Sequence, residues 1–452
     1  MKDIILVMSD QHSGLDVGYL DDNQIVQTPH LTELALSSQV FENAYSNCPL
    51  CVPSRMSFLS GKYAHETNIL DNDGYLSDQD ITLPALLSEK GYRTVLVGRM
   101  HFKGINQYHG FDERYVGDIT TQWWNQKRND LGAFDGTFKV SGCLKTIGIG
   151  NSPVQEFDNA VLEKSLDILK EESDKPLFLV VGFYGPHFPY TVKDEYFYHY
   201  FEKDLRVDNF NEPSANVYVD LKKEKVNRND LEIARSAYYG LVERLDEMIG
   251  NIYSEVKTRS EEALFVYTSD HGDQVGKRGL FGKKTLYEES IRVPLLINDS
   301  SKSAQRYTNE VSLIDLSKTI LDYANVDNAV WNGENIFSKD SPVYSGSMIT
   351  YKNEPRYIQS VIHKRFKLVN DGENNILYNL DVDEVLDCSQ NHVEVVEKLS
   401  KHLVDSKRII KNYKVAQENY RHLKQWVKKT NPTDTIRFKF SKDSIGEPSQ
   451  PT

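Results

Sequence analysis

Acidic and basic side chains that suit catalysis or metal binding follow several short apolar runs of the sequence. In open α/β sheets, ligands bind beyond the carboxyl ends of the strands, so residues that follow parallel strands meet at one edge of the sheet. Each residue also has a plain structural alternative, because an aspartate after a strand often caps a helix and a single histidine often fills a structural role. Their shared position favours a common site. These residues are Asp10, Arg99, His101, His187, Asp270 and His271.

A second candidate is the segment 48–55, which holds two cysteines with the spacing Cys-x-x-Cys. That spacing occurs in half-sites for zinc and in redox pairs. Neither is favoured, because the chain has only 4 cysteines and the other two stand alone. A cysteine phosphatase is excluded, because Ser54 and Ser57 occupy the positions where its arginine would follow either cysteine. What remains is Cys51 at the head of the run Cys-Val-Pro-Ser-Arg, which ends at Arg55.

The elements that must position these residues can be read from the apolar pattern. Continuous apolar runs are typical of strands that are covered on both faces, and they are separated here by long stretches with helical spacing. We therefore predict an α/β fold with a large, doubly wound, mostly parallel sheet flanked by helices. The predicted strands are 4–8, 94–97, 177–181, 263–267 and 294–297. The predicted helices are 31–38, 83–90, 160–171 and 231–256.

The pattern changes near residue 345, so we predict a catalytic α/β domain at 1–345 and a smaller C-terminal antiparallel α+β subdomain at 346–452. A long basic helix is predicted at 393–428; its charges most simply form a solvated face, and the alternative is a homo-oligomer contact. The last residues, from 446 onward, are predicted to be loose. The predicted strands of the subdomain are 357–362, 366–369, 376–380 and 436–440.

Composition limits the classes of partner. The 452 residues are 39% hydrophobic and 26% charged, which is typical of a globular protein. The net charge of −13 argues against nucleic acid as a partner, and an anionic substrate would need a local cationic pocket. The first apolar run, 4–8, is too short for a signal peptide or a membrane span. With so few cysteines, we predict a cytoplasmic protein with no membrane partner.

The run from Cys51 to Arg55 resembles the signature of the type I, formylglycine-dependent sulfatases of the alkaline-phosphatase-like superfamily. The resemblance extends along most of the chain. It implies that a separate formylglycine-generating maturation enzyme oxidises Cys51 to formylglycine. The hydrated aldehyde then attacks sulfur, and its second hydroxyl later expels sulfate. Further blocks that resemble the family are 28–31, 41–45, 57–61, 91–94, 98–101, 186–190, 287–294 and 377–380.

The resemblance also implies a divalent cation. Carboxylate oxygens suit a hard cation, so Asp10 and Asp270 are the first ligands, and Gln11 adds an amide oxygen beside the modified Cys51. Many members have asparagine where this chain has His271; the Asp-His form resembles the branch with choline sulfatases and phosphonate monoester hydrolases. Ca²⁺ is our first prediction, and the imidazole makes Mn²⁺ the alternative.

Roles for the other residues follow from the same resemblance. Arg55 holds the formylglycine oxygen, and Arg99 stands where the family usually has lysine, which changes the donor geometry. His101 takes a proton when the covalent sulfate ester breaks down. His187 and Lys283 bind sulfate oxygens and supply the proton of the leaving group. Lys284 is the neighbouring alternative to Lys283, which is preferred for its spacing to the block at 287–294.

The predicted substrate is a small sulfate monoester, either choline sulfate or a sulfated sugar. Segments 100–102 and 107–114 resemble choline sulfatase. Trp123 and Trp124 could stack on a quaternary ammonium or a sugar ring, or they could be core aromatics. Two alternatives stay open: a phosphonate monoester or phosphodiester hydrolase with the same site, and a non-catalytic relative that binds a metal or a sugar.

Overall fold

The computed structural model describes residues 1–20, 25–120, 142–201, 203, 205, 226–327, 330–351, 353–382 and 384–430. The predicted Trp123 and Trp124 contacts, the strand at 436–440 and the loose end lie outside these ranges. Within the described residues, each helix is too short or too polar to cross a membrane.

The fold is mixed α/β with a large, mostly parallel sheet, as predicted, and a small antiparallel sheet near the C-terminus. The strands are β1 (Ile4–Asp10), β2 (Gln39–Tyr45), β3 (Arg93–Gly98), β4 (Glu113–Tyr115), β5 (Ile147–Ile149), β6 (Leu177–Pro186), β7 (Tyr190–Val192), β8 (Leu264–Ser269), β9 (Arg292–Val293), β10 (Leu295–Asn298), β11 (Gln305–Ser312), β12 (Val343–Tyr351), β13 (Glu354–His363), β14 (Phe366–Asn370) and β15 (Asn375–Asn379). The helices are α1 (Pro29–Ala35), α2 (Cys51–Ser60), α3 (Ala64–Thr67), α4 (Leu83–Lys90), α5 (Pro153–Lys170), α6 (Asp194–Phe197), α7 (Arg228–Arg259), α8 (Glu288–Ile291), α9 (Leu313–Tyr323), α10 (Val393–Ser400) and α11 (Ser406–Thr430).

The large sheet has the order β11-β2-β10-β8-β1-β6-β3-β4, and β9 pairs with β2. Strands β8, β1, β6, β3 and β4 are parallel, whereas β10 runs antiparallel to β8 and β2. Strands β1, β6 and β8 are buried along their whole length, which explains their continuous apolar sequences. All of the strands predicted for this sheet are present.

Helices pack on both faces of this sheet, and local signals mark their ends. The Thr82 side chain caps α4 by accepting a hydrogen bond from the Ala85 amide, and Gly91 ends the helix with a φ of 105°. The four predicted helices correspond to α1, α4, α5 and α7. Helix α5 begins earlier than predicted, because Pro153 occupies its first turn, where a missing N–H costs nothing.

The small sheet has the order β12-β13-β14-β15. Its last three strands were predicted, but β12 was missed, because Ser345, Gly346 and Ser347 interrupt its apolar pattern. The glycine is required: a Cβ at Gly346 would lie 2.0 Å from the Tyr357 hydroxyl. The predicted domain boundary at 345 falls inside β12, and the division into two domains stays a prediction.

The prediction of one basic helix at 393–428 was wrong, because α10 and α11 are separate. The Gln359 side chain accepts a hydrogen bond from the Val404 amide at 2.9 Å and donates to its carbonyl at 2.9 Å, so this backbone pairs with β13 instead of continuing the helix. Asp405 then accepts a hydrogen bond from the Lys407 amide at 3.0 Å at the start of α11.

Candidate active site

The parallel strands end at the same edge of the large sheet and bring the predicted residues together there. Asp10 is the last residue of β1, and Asp270 directly follows β8, whose Ser269 is in register with Ser9. Strand β3 ends beside Gly182 of β6, where the Arg99 amide donates to the Gly182 carbonyl at 2.8 Å. Only glycine allows this approach, since a Cβ on Gly182 would lie 1.9 Å from the Arg99 carbonyl oxygen.

Cys51 begins α2 and is 1% exposed. Its Sγ lies 2.9 Å from the Lys283 Nζ, 3.3 Å from the His271 Nε2 and 3.7 Å from the Asp10 Oδ1. Burial alone would raise the pKa of the thiol, but Lys283 and then His271 outweigh it and hold the pKa well below its usual range. The side chain at position 51 is therefore placed where cationic neighbours stabilise negative charge.

Asp10, Cys51, Asp270 and His271 form a group that can hold a metal ion, since one ligand atom from each lies within 4.8 Å of the others. The His271 Nε2 lies 3.8 Å from the Asp10 Oδ1 and 3.6 Å from the Asp270 Oδ1. Such spacings suit a cation with bonds of roughly 2.0–2.6 Å. The His271 Nδ1 lies 3.0 Å from the Gly272 carbonyl, a contact that leaves the Nε2 lone pair for a ligand bond. The donor set therefore fits a divalent cation.

Gln11 lies next to this group in a left-handed backbone conformation with a φ of 73°. Its amide oxygen accepts a hydrogen bond from the Lys283 Nζ at 2.7 Å, and its amide nitrogen donates to Asp273. An amide oxygen has two lone pairs, so the contact with Lys283 leaves one for a metal. Gln11 as a ligand stays a prediction.

Two buried arginines hold the carboxylates in place. Arg55 donates from Nε to the Asp270 Oδ2 at 2.8 Å and from Nη2 to the Asp10 Oδ2 at 3.3 Å. Its Nη1 donates to the Arg99 carbonyl at 2.9 Å. Arg99 donates from Nε to the same Asp10 oxygen. Both arginines thus bind the outer oxygens of the carboxylates, and the Asp10 Oδ1 and Asp270 Oδ1 face the metal position.

Comparison with known proteins identifies the family. The sulfatase family model matches residues 2–326. The chain belongs to the sulfatase family. A choline-sulfatase of Rhizobium meliloti strain 1021 is 30% identical over 348 residues, which cover 72% of this sulfatase and 67% of the relative. An arylsulfatase of Clostridium perfringens strain 13 is 27% identical over 400 residues, which cover 75% and 83% of the two chains. This membership supports sulfuric ester hydrolysis as the activity.

A solved structure shows the same fold. The phosphonate monoester hydrolase of Agrobacterium radiobacter superposes on this sulfatase with a TM-score of 0.68 and 19% identity, covering 90% of this chain and 97% of the other. The two proteins therefore share a fold, and the family model confirms the predicted resemblance to the sulfatases.

The two predicted histidines of this sulfatase face the site from β3 and β6. His101 has a φ of 60°, and its Nδ1 lies 2.8 Å from the Arg99 Nη2. Burial, Arg99 and Lys103 lower the pKa of His101 to about 3, so its imidazole is neutral near pH 7. The His187 Nε2 lies 4.0 Å from the Asp10 Oδ1, and its Nδ1 lies 2.7 Å from the Phe188 carbonyl. Burial and then Lys283 lower the pKa of His187.

Asp118 is part of the site and was missed from the sequence. It accepts hydrogen bonds from the Arg99 Nη1 at 3.0 Å and from the His101 amide at 2.9 Å, so it orients both residues. A signal existed, because Asp118 follows β4, which is parallel to β3. The strand has only 3 residues, which is too short to stand out as an apolar run.

Asn72 was also missed. Its amide nitrogen lies 3.9 Å from the Cys51 Sγ, and its Oδ1 accepts a hydrogen bond from the Val52 amide at 3.0 Å. The neighbouring Asp71 accepts hydrogen bonds from Tyr413 at 2.7 Å and Gln417 at 2.6 Å, both on α11. The C-terminal helix thus supports a loop that reaches the site, a contact between distant segments that no local pattern could reveal.

Lys283 and Lys284 provide a matched pair of variants. The Lys283 Nζ lies 2.9 Å from the Cys51 Sγ, whereas the Lys284 side chain is exposed. We expect Lys283→Met to reduce kcat/KM for a sulfate ester by roughly 10²–10³-fold, the usual effect of removing one donor to a developing anion. Lys284→Met should stay within about twofold of the wild type, as expected for a surface change. Equal losses in the two variants would contradict the placement of Lys283.

Proposed function

We propose that this sulfatase hydrolyses a small sulfate monoester, with choline sulfate or a sulfated sugar as the substrate. The proposal rests mainly on the groups around Cys51. Two carboxylates, an imidazole and an ammonium group converge there on one buried sulfur. This arrangement suits a side chain that becomes an oxygen nucleophile beside a cation. Oxidation of Cys51 to formylglycine by a separate maturation enzyme would supply that nucleophile.

The metal ligands in this proposal are Asp10, Asp270, His271 and the modified Cys51, and Gln11 is a further ligand through its amide oxygen. The bound cation would neutralise the charge that spreads over the sulfate oxygens. Two carboxylates favour Ca²⁺, and the imidazole keeps Mn²⁺ as the alternative. Arg55 and Arg99 orient both carboxylates through the contacts described above, so the ligands are in place before the cation binds.

Lys283 and His187 form the side of the pocket that would bind sulfate in this proposal. Lys283 lies 3.7 Å from the Asp10 Oδ1 and 2.9 Å from the Cys51 Sγ, so its ammonium group would meet the oxygens of a sulfate placed at position 51. The His187 Nε2 lies 4.0 Å from the Asp10 Oδ1 and, once it is protonated, would supply the proton for the leaving alcohol. Because the chain has a net charge of −13, an anionic substrate needs a local positive charge at the site. The ammonium group of Lys283 would supply it.

The experiment that tests the function is a substrate panel with the matured enzyme, meaning protein produced together with a formylglycine-generating enzyme and loaded with Ca²⁺ or Mn²⁺. The panel contains choline, aryl and sugar sulfates together with a phosphonate monoester and a phosphodiester. We expect the highest kcat/KM on one of the sulfates. Faster turnover of the phosphorus esters would favour the phosphonate monoester hydrolase alternative, since sulfuryl and phosphoryl groups share tetrahedral shape. Inactivity of fully modified protein on every ester would favour the non-catalytic alternative.

A further inference from the structure

Asp273 is a buried carboxylate beside the site that accepts hydrogen bonds at both of its oxygens. Its Oδ1 accepts from the backbone amides of Val275 at 2.9 Å and Gly282 at 2.8 Å. Its Oδ2 accepts from the Tyr190 hydroxyl at 2.5 Å and from the Gln11 Nε2. A carboxylate offers about four lone-pair sites, so these donors fill them. Asp273 is 1% exposed, and these protein groups therefore take the place of water.

The Gln11 side chain lies between Asp273 and Lys283, and each neighbour faces one end of its amide. The Lys283 Nζ lies 2.7 Å from the Gln11 Oε1, and an ammonium group has only donors, so the amide oxygen must face it. The amide nitrogen then faces the Asp273 carboxylate and donates to it. The two ends of an amide are alike in size and shape, so only the neighbours decide which way it points.

The backbone around this contact is also held in place. The Gln11 amide donates to the Asp270 Oδ1 at 3.1 Å, which fixes the start of its side chain. Gly282 precedes Lys283, has a φ of 72° and donates its amide to Asp273. One carboxylate therefore anchors both the loop that carries Lys283 and the amide that Lys283 contacts.

We infer that Asp273 is a positioning residue that sets the direction of the Gln11 amide, so that the amide oxygen faces Lys283 and the cation position. An amide turned the other way would bring its N–H groups against the ammonium group and would offer no lone pair to a cation. The part of the inference that concerns the cation rests on the proposed function, whereas the direction of the amide does not. Asp273 acts through Gln11 in both respects.

A reciprocal exchange of the two side chains tests this direction. In Asp273→Asn, the Val275 and Gly282 amides hold the remaining oxygen, so the asparagine nitrogen replaces Oδ2 and two N–H groups meet at Gln11. In Gln11→Glu, two carboxylates meet at the same place. The double variant Gln11→Glu, Asp273→Asn again has one donor facing one acceptor, with the direction reversed and the net charge of the wild type. A glutamate oxygen then also faces Lys283.

The first readout is the melting temperature of full-length protein made without a maturation enzyme and freed of metal with a chelator. We expect each single variant to melt at least about 3 °C below the wild type. The double variant should regain at least half of the combined loss, because residues in contact do not act independently. Losses that simply add would overturn the inference, since a change at position 11 cannot repair a purely local role of Asp273 in its own loop.

Circular dichroism shows whether each variant is folded. If Asp273→Asn does not fold by itself, a folded double variant supports the inference and an unfolded double variant overturns it. This comparison uses no substrate and no metal, so its result is separate from success or failure on the ester panel.

The second readout is calorimetric titration of the matured proteins with Ca²⁺ and Mn²⁺. We expect Asp273→Asn to weaken metal binding by roughly 10–100-fold, the usual effect of losing a contact that orients a ligand. The double variant should bind at least as tightly as the wild type, because a carboxylate oxygen then faces the cation. Unchanged metal affinity in Asp273→Asn would overturn the part of the inference that concerns the cation.

Discussion

Replacing Cys51 with alanine should reduce the turnover of sulfate esters by at least about 10⁴-fold, since removal of a hydrolase nucleophile costs roughly 10⁶-fold in a well-studied case. The change removes the sulfur on which the surrounding ammonium, imidazole and carboxylate groups converge. Steady-state kinetics on the best substrate of the panel measures the loss. Cys51 is buried, but alanine keeps the first turn of α2, so the melting temperature should change little.

Cys51→Ser separates the nucleophile from the release of sulfate. In protein made without a maturation enzyme, a serine hydroxyl could attack sulfur once but has no second hydroxyl with which to expel sulfate. We expect a burst of no more than one alcohol per active site, and a covalent sulfate ester on the peptide that contains position 51. Continuous turnover by unmodified Cys51→Ser would contradict the need for an aldehyde hydrate.

Replacing Asp10 with asparagine should have the next largest effect, because this carboxylate is a proposed metal ligand and also accepts hydrogen bonds from two buried arginines. Burial alone would raise the pKa of Asp10, but Arg99 and then Lys283 outweigh it and hold the pKa well below its usual range. A depressed carboxylate pKa stabilises the folded state above the unfolded pKa near 4, and this stabilisation is lost as the pH falls toward the folded pKa. The Asp10→Asn variant lacks that contribution at neutral pH.

We expect Asp10→Asn to lower the free energy of unfolding by about 3–5 kcal/mol, because Arg55 and Arg99 keep their buried charges without a full counter-charge. Metal affinity should fall by more than the roughly 10–100-fold that loss of a supporting contact costs. Denaturant unfolding of the metal-free protein and calorimetric titration with Ca²⁺ and Mn²⁺ measure the two effects.

Asp73→Asn is the matched control for Asp10→Asn. Asp73 pairs with Lys424 at 3.2 Å, but its side chain is 60% exposed, so this pair should contribute no more than about 1 kcal/mol. Metal affinity in this variant should equal that of the wild type. If Asp10→Asn resembled Asp73→Asn in both measurements, Asp10 would be neither a ligand nor the anchor of the two arginines.

Much of the site could be predicted because parallel strands end at one edge of a sheet. Buried strands have continuous apolar sequences, so the ends of β1, β3, β6 and β8 were visible, and the structure brings together the polar residues that follow them. Cys51 lies on a helix and was found from its short motif. The preference for Lys283 over Lys284 came from spacing alone, and the structure places only Lys283 at the sulfur.

The remaining features depend on contacts between distant segments. Asp118 follows a strand too short to recognise, and Asn72 reaches Cys51 because α11 supports its loop. The break between α10 and α11 depends on Gln359, which is far away in the sequence.

The most direct test of the central proposal is mass spectrometry of the peptide that contains Cys51, combined with kcat measured on the same preparations. Protein produced with increasing amounts of a maturation enzyme should carry an increasing fraction of aldehyde in place of the thiol at position 51, and kcat should rise in proportion to that fraction. A fully active preparation in which position 51 is still an unmodified cysteine would contradict the proposed mechanism.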